Sequence, residues 1–124
     1  MFSKKAEKLE AFIGHNSVFT GDVRTKGTLR VDGTLEGNVE ADWLIVGDKG
    51  RIKGNATARG IIVGGTIEGN LQAKETVEIK HKGQVLGDIS TPKLTVLEGG
   101  MLNGRTIMQG QQGRLLSPEG AQGK

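Results

Sequence analysis

With 124 residues and no cysteine, the chain has room for one domain and excludes a disulfide frame, thiolate metal ligation and a cysteine nucleophile. Hydrophobic residues make up only 35%, with one Trp and no Tyr, too few for a thick globular core, and 21 glycines without a strict triplet period exclude collagen. The net charge of +3 is evenly spread: residues 12–108 carry 12 basic and 11 acidic side chains, so no basic stripe argues for nucleic acid as a partner.

Residues 1–11 read as a disordered tail. Phe2, Ala6, Leu9 and Ile13 fall at a helical spacing, but the pattern is too short to hold a helix by itself. A sharper reading makes the tail a membrane-surface anchor, with Met1, Phe2 and Leu9 entering the interface while Lys4, Lys5 and Lys8 meet anionic lipid. One such tail binds marginally, whereas many on a polymer bind well. Met1-Phe2-Ser3-Lys4-Lys5 lacks the apolar run of a secretory signal, and nothing approaches a membrane span. A cytoplasmic protein is expected.

From residue 12 a repeat runs to residue 108. Its clearest copy is Leu35-Glu36-Gly37-Asn38-Val39-Glu40-Ala41, a period of two with a glycine on the inward-facing side. The phrase recurs around bend glycines 21, 37, 54, 69, 87 and 104, at spacings of 16, 17, 15, 18 and 17 residues. Each of the first five units carries a second apolar pair: Leu29/Val31, Leu44/Val46, Ile61/Val63, Val77/Ile79 and Leu94/Val96. Second glycines at 33, 50, 65, 83 and 100 close those units. No segment holds a 3.6-residue period for three turns.

One unit thus holds about three short strands and three corners. Such strands cannot bury an apolar side alone, so the units must coil and stack. Coiling places Leu35 under Ile52 under Ile67 and predicts parallel ladders about 4.8 Å apart. The small column Thr25, Ala41, Ala58, Ala73 and Thr91 suits cramped corners. Asp22, Asn38, Asn55, Asn70 and Asp88 face outward, to stack as side-chain ladders or bond corner amides. Uneven turn lengths and the right-handed bias of parallel crossovers favour a right-handed parallel β-helix of about six turns over a left-handed hexapeptide coil. Residues 109–124, rich in Gly, Gln, Ser and Pro, read as a second disordered tail.

Catalytic chemistry finds no support. No phosphate-binding glycine motif occurs, so a filament switched by nucleotide hydrolysis is not expected. His15 and His81 lie about four turns apart and cannot share a metal or form a nucleophile–base pair. The Asp22-to-Asp88 column is mostly amide and lacks the dense aspartate–glycine signature of calcium-binding repeats. Glu75 and Glu78 sit among Lys74, Lys80 and Lys82, in a solvated setting. The expectation is a non-enzyme with no cofactor and no metal.

A solenoid without caps leaves an open parallel edge at each end, and open edges recruit other edges. The first turn keeps Ile13, Val18 and Phe19; the last keeps Met101, Leu102, Ile107 and Met108. These residues, with Arg105, are the expected polymer interface, and self-association through the ends is the expected activity.

The six Gly-[Asp/Asn]-apolar phrases, with Val31-Asp32-Gly33-Thr34-Leu35-Glu36-Gly37-Asn38-Val39 between them, closely resemble the bactofilins, bacterial polymer-forming cytoskeletal proteins. The resemblance covers about residues 12–108 and extends to the Met1–Lys5 opening. It implies a right-handed β-helix between disordered tails and nucleotide-independent, non-polar filaments. It also implies attachment to the inner face of the membrane through the N-terminal tail, and scaffolding of cell-shape or envelope-building proteins. Arg105 departs from the pattern, because the other five units carry Asp or Asn after the bend glycine. It is either a plain surface residue or a cation that opposes stacking at the last turn.

Two other classes fit less well. A monomeric solenoid binding module for ice or another surface wants a regular threonine face, and Thr28, Thr34, Thr57, Thr66, Thr76 and Thr95 do not form one column. A hexapeptide-type acyltransferase wants even turns, an added domain and a placed histidine.

Overall fold

Alternation of apolar and polar residues in short phrases between glycines makes three-sided coiling the way to bury one side of every strand. A computed structural model describes residues 9–108 and shows such a coil. All its regular elements are parallel β-strands, wound into a solenoid of about six turns and three faces.

The first face stacks β1 (Leu9–Ile13), β4 (Thr28–Val31), β7 (Trp43–Val46), the second half of β9 (Ala56–Val63), the second half of β11 (Leu71–Ile79), and β14 (Leu94–Val96). The second face stacks β2 (Val18–Thr20), β5 (Thr34–Glu36), β8 (Arg51–Lys53), β10 (Thr66–Glu68), β12 (Gln84–Leu86) and β15 (Met101–Asn103). The third face stacks β3 (Val23–Arg24), β6 (Val39–Glu40), the first halves of β9 and β11, β13 (Ile89–Thr91) and β16 (Thr106–Met108).

The expected columns are in register. Phe19, Leu35, Ile52, Ile67, Val85 and Leu102 stack on the second face. Leu35, Ile52, Ile67 and Val85 are fully buried, as are the first-face residues Leu29, Val31, Leu44, Ile61, Val63, Val77 and Ile79. The core is therefore one thin column of aliphatic side chains, which is how a chain so lean in aromatics folds. Burying each Leu, Ile or Val contributes roughly 1.5–3 kcal/mol.

Two expectations change. First, the chain enters the solenoid earlier than residue 12: β1 begins at Leu9, whose backbone pairs with Thr28. Leu9 and Ile13 thus share a strand, and their helical spacing in sequence has no structural counterpart. The backbone of Leu9 belongs to the first ladder. Second, β9 and β11 each run through one corner without a break, so the three-strand unit merges into two in the middle turns. An extra residue at Lys74–Glu75 is absorbed there as a register shift between Ala73 and Thr76, and the rest of that turn's greater length lies in the corner between Ile79 and Gln84.

The bend glycines sit at the corner between the second and third faces, half-exposed or exposed, instead of facing the core. Gly54 shows why the position excludes other residues. Its φ is +148°, and a Cβ there would collide with the carbonyl oxygen of Gly37 one turn below. The second glycine column has a different cause. Gly50 has no unusual φ, but a Cβ on it would meet the carbonyl oxygen of Val31.

Candidate polymer interface

Every turn but the first and last is paired above and below. β1, β2 and β3 pair only with β4, β5 and β6, and β14, β15 and β16 pair only with β11, β12 and β13. Both rims are thus open strand edges among the described residues. The corner glycines show the change at the top. The N–H groups of Gly21, Gly37, Gly54, Gly69 and Gly87 each donate to a carbonyl of the next turn, of Glu36, Lys53, Glu68, Leu86 and Asn103, at 2.9–3.0 Å. Gly104 occupies the same place with no turn above it among the described residues.

Side chains change at the rims as well. The outward column of the second face runs Val18, Thr34, Arg51, Thr66, Gln84, Met101: polar in the four inner turns and apolar at both ends. Val18 is 69% exposed and Met101 57%. On the third face the outward column runs Arg24, Glu40, Thr57, Gln72, Ser90, Ile107, and again turns apolar at the top, where Ile107 is 53% exposed. In these two columns the apolar residues that face water lie in terminal turns, placed for an interface, whereas Leu86 is an exposed apolar residue of an inner turn.

The expected interface residues fall into two groups, one per rim. Ile13, Val18 and Phe19 lie on the first turn, and Met101, Leu102, Arg105, Ile107 and Met108 on the last. Ile13 and Leu102 are half-buried against the core, while Phe19 and Met108 are exposed. The two rims lie at opposite ends of the stack, so one rim meets the other only across copies. Phe12, exposed on β1, and Val96, exposed on β14, belong to the rims too. The sequence expectation includes neither: Phe12 precedes the first repeat phrase at Ile13, and Val96 is one of a repeated apolar pair whose counterparts Ile79 and Val63 are buried. Met1, Phe2, Lys4, Lys5 and Lys8 lie outside the described residues.

The corner column is a side-chain-to-backbone ladder. Oδ1 of Asp22 accepts from the backbone N–H of Asn38 at 2.9 Å, Asn38 from Asn55 at 3.0 Å, Asn55 from Asn70 at 3.0 Å, and Asn70 from Asp88 at 3.1 Å. Asp88 accepts from the N–H of Arg105 at 3.1 Å, and the Arg105 guanidinium donates to Asp88 Oδ2 at 3.1 Å. Those two hydrogen bonds, the side-chain one first, hold the Asp88 carboxyl below its ordinary range.

Elsewhere the surface is charge-paired. Arg59 bridges Asp42 at 2.9 Å and Glu75 at 3.7 Å, and the Trp43 ring lies across Gly60. On the first face Phe12, Ile45 and Ile62 line a groove of about 690 Å³ beside His15 and the 2.9 Å Arg30–Asp32 pair. His15 and His81 are both exposed, at corners of different turns. Among the described residues no three His, Asp or Glu side chains are grouped to hold a metal ion, and no helix is long and apolar enough to cross a membrane.

The decisive comparison is with protein families: the model of the bactofilins, described as polymer-forming cytoskeletal, matches residues 11–107. The chain belongs to the bactofilin family. This bactofilin is 32% identical over 97 residues to bactofilin BacP of Myxococcus xanthus, covering 77% of the chain and 40% of BacP. To bactofilin BacO of the same organism it is 27% identical over 97 residues, covering 77% of each. It thus spans well under half of BacP and about three quarters of BacO. No solved structure matches it. The family is one of structural, self-associating cytoskeletal proteins, and the matched span coincides with the solenoid from its first strand to its last.

Proposed function

We propose that this bactofilin is a non-enzymatic scaffold whose copies join end to end through both rims, without nucleotide, into filaments. One observation carries the reading: the outward column of Val18 and Met101 turns apolar at both ends, and that of Ile107 at the top, where the strand edges are also open. A junction would bury Val18 and Phe19 at one rim, or Met101 and Ile107 at the other, while giving each edge a partner. Joining like ends about a two-fold axis makes each junction self-complementary and reverses the chain direction, so the strands meet antiparallel. At a junction between top rims, Arg105 would approach its own copy, and like charges there oppose closure.

In the same proposal the filament lies at the inner face of the membrane. Residues 1–8 supply apolar Met1 and Phe2 with Lys4, Lys5 and Lys8, and multivalency turns weak single contacts into stable attachment. Its clients are cell-shape or envelope-building proteins. Negative-stain microscopy of the purified chain tests the filament, and uniform short particles at every concentration refute it. Co-sedimentation with anionic vesicles, with and without residues 1–8, tests the attachment; equal binding by both chains refutes the role of the tail.

The surface-binding alternative gains nothing from the fold. Thr34 and Thr66 share a column interrupted by Arg51, Thr28 and Thr76 share one interrupted by Trp43 and Gly60, and Thr57 lies on another face.

A further inference from the structure

The corner ladder has a direction, and Arg105 ends it. In five successive steps a side-chain oxygen of one turn accepts the backbone N–H at the same place in the turn above. The acceptors are Asp22, Asn38, Asn55, Asn70 and Asp88, all short side chains with an oxygen two bonds from Cβ. At the sixth place stands Arg105, whose guanidinium has only donors. It turns back onto Asp88 and leaves the top of the ladder without an acceptor. At the bottom, the Asp22 N–H occupies the donor place with no turn beneath it among the described residues.

This matters for how a second copy can be added. In a top-to-bottom junction the first turn of the next copy continues the coil as a seventh turn. Its Val18 would sit over Met101 and its Phe19 over Leu102, apolar upon apolar, as the column registers show. Strand edges and apolar columns therefore accept such a copy. The corner does not, because the incoming Asp22 N–H meets Arg105 where every lower turn offers an oxygen. Attraction between Arg105 and the incoming Asp22 carboxylate does not replace that bond. The Arg105 side chain is 80% exposed and already paired, a setting in which ion pairs are worth little.

We infer that Arg105 is a specificity-determining residue, a ladder stop that disfavours top-to-bottom addition of a second copy of this chain. The inference rests on the end-to-end assembly proposed above.

The absence of cysteine permits a direct test. Protein carrying Val18→Cys is mixed with protein carrying Met101→Cys and treated with a short bismaleimide, so that only a top-to-bottom junction brings the two different cysteines together. The mixture is compared in three backgrounds: Arg105, Arg105→Ala and Arg105→Asn. Alanine removes the cation without supplying an acceptor, and asparagine restores the ladder group. The mixed product is expected to be low with Arg105 and with Arg105→Ala, and about fivefold higher with Arg105→Asn, the equivalent of one ordinary hydrogen bond. Equal yields from alanine and asparagine, or abundant mixed product with Arg105 itself, overturn the ladder stop while leaving assembly intact. Absence of every cross-linked product in all backgrounds, together with monomer in sedimentation, overturns the assembly proposal and this inference with it.

Discussion

The backbone N–H of Arg105 and its guanidinium both donate to Asp88, one to each carboxylate oxygen, at 3.1 Å apiece. This pair closes the corner ladder and depresses the Asp88 pKa. A carboxylate with a depressed folded pKa adds stability above its unfolded value of about 3.9, and that stability is lost as pH falls through the folded value. Arg105→Leu removes the larger cause and keeps the backbone donor. Carbon-detected NMR titration of Asp88 is expected to show a midpoint moved upward in the variant, still below the ordinary value. An unchanged midpoint would contradict the pairing.

Arg105→Leu has a second expected outcome. With the cation gone, top rims no longer present like charges to each other, so assemblies lengthen by light scattering and microscopy. Unchanged length would assign Arg105 no part in limiting growth.

The ladder itself is testable at its middle. Asn55 accepts from the N–H of Asn70, and the same place holds Asp in other turns. Asn55→Ala is expected to lower stability by about 1 kcal/mol in chemical denaturation, and Asn55→Asp to leave it nearly unchanged, because the acceptor survives. Equal loss from both would show that the amide nitrogen, not the oxygen, matters.

Gly54→Ala meets both a φ of +148° and the Gly37 carbonyl. Relief of either distorts the stack, and a loss of at least about 1–3 kcal/mol is expected in the same assay. A neutral substitution would mean that the corner has slack that the stacked geometry does not show. Ile52→Ala, in the buried column, is expected to cost about 2–5 kcal/mol. Leu102→Ala, half-buried at the rim, is expected to cost less in the single chain and to weaken assembly more.

Much of this architecture is legible in the sequence because a solenoid writes its contacts at nearly constant spacing. Leu35, Ile52 and Ile67 align by eye once the bend glycines are found, and the register places them one above another. What escapes reading depends on local choices that carry no periodic mark. The corners at Arg59–Gly60 and at Lys74–Glu75 run extended: the glycine at the first does not break β9, and the second carries no turn residue. Leu9 joins the first face through backbone pairing, and the sparse apolar pattern of residues 1–11 gives no sign of it. The amide column left two arrangements open, and its mixture of Asp and Asn suits the backbone-bonded one, since carboxylates cannot donate to one another. Val18, Met101 and Ile107 are legible in the sequence as apolar residues of the end turns, and the register adds that polar residues fill the places between in their columns.

Sedimentation velocity over a wide concentration range tests most directly whether open rims join copies, with the chain compared against a Val18→Lys, Phe19→Lys variant. The account predicts species larger than the monomer that grow with concentration, and a marked loss of them in the variant while its fold by circular dichroism is kept. A single monomeric species for both proteins at every concentration would contradict it.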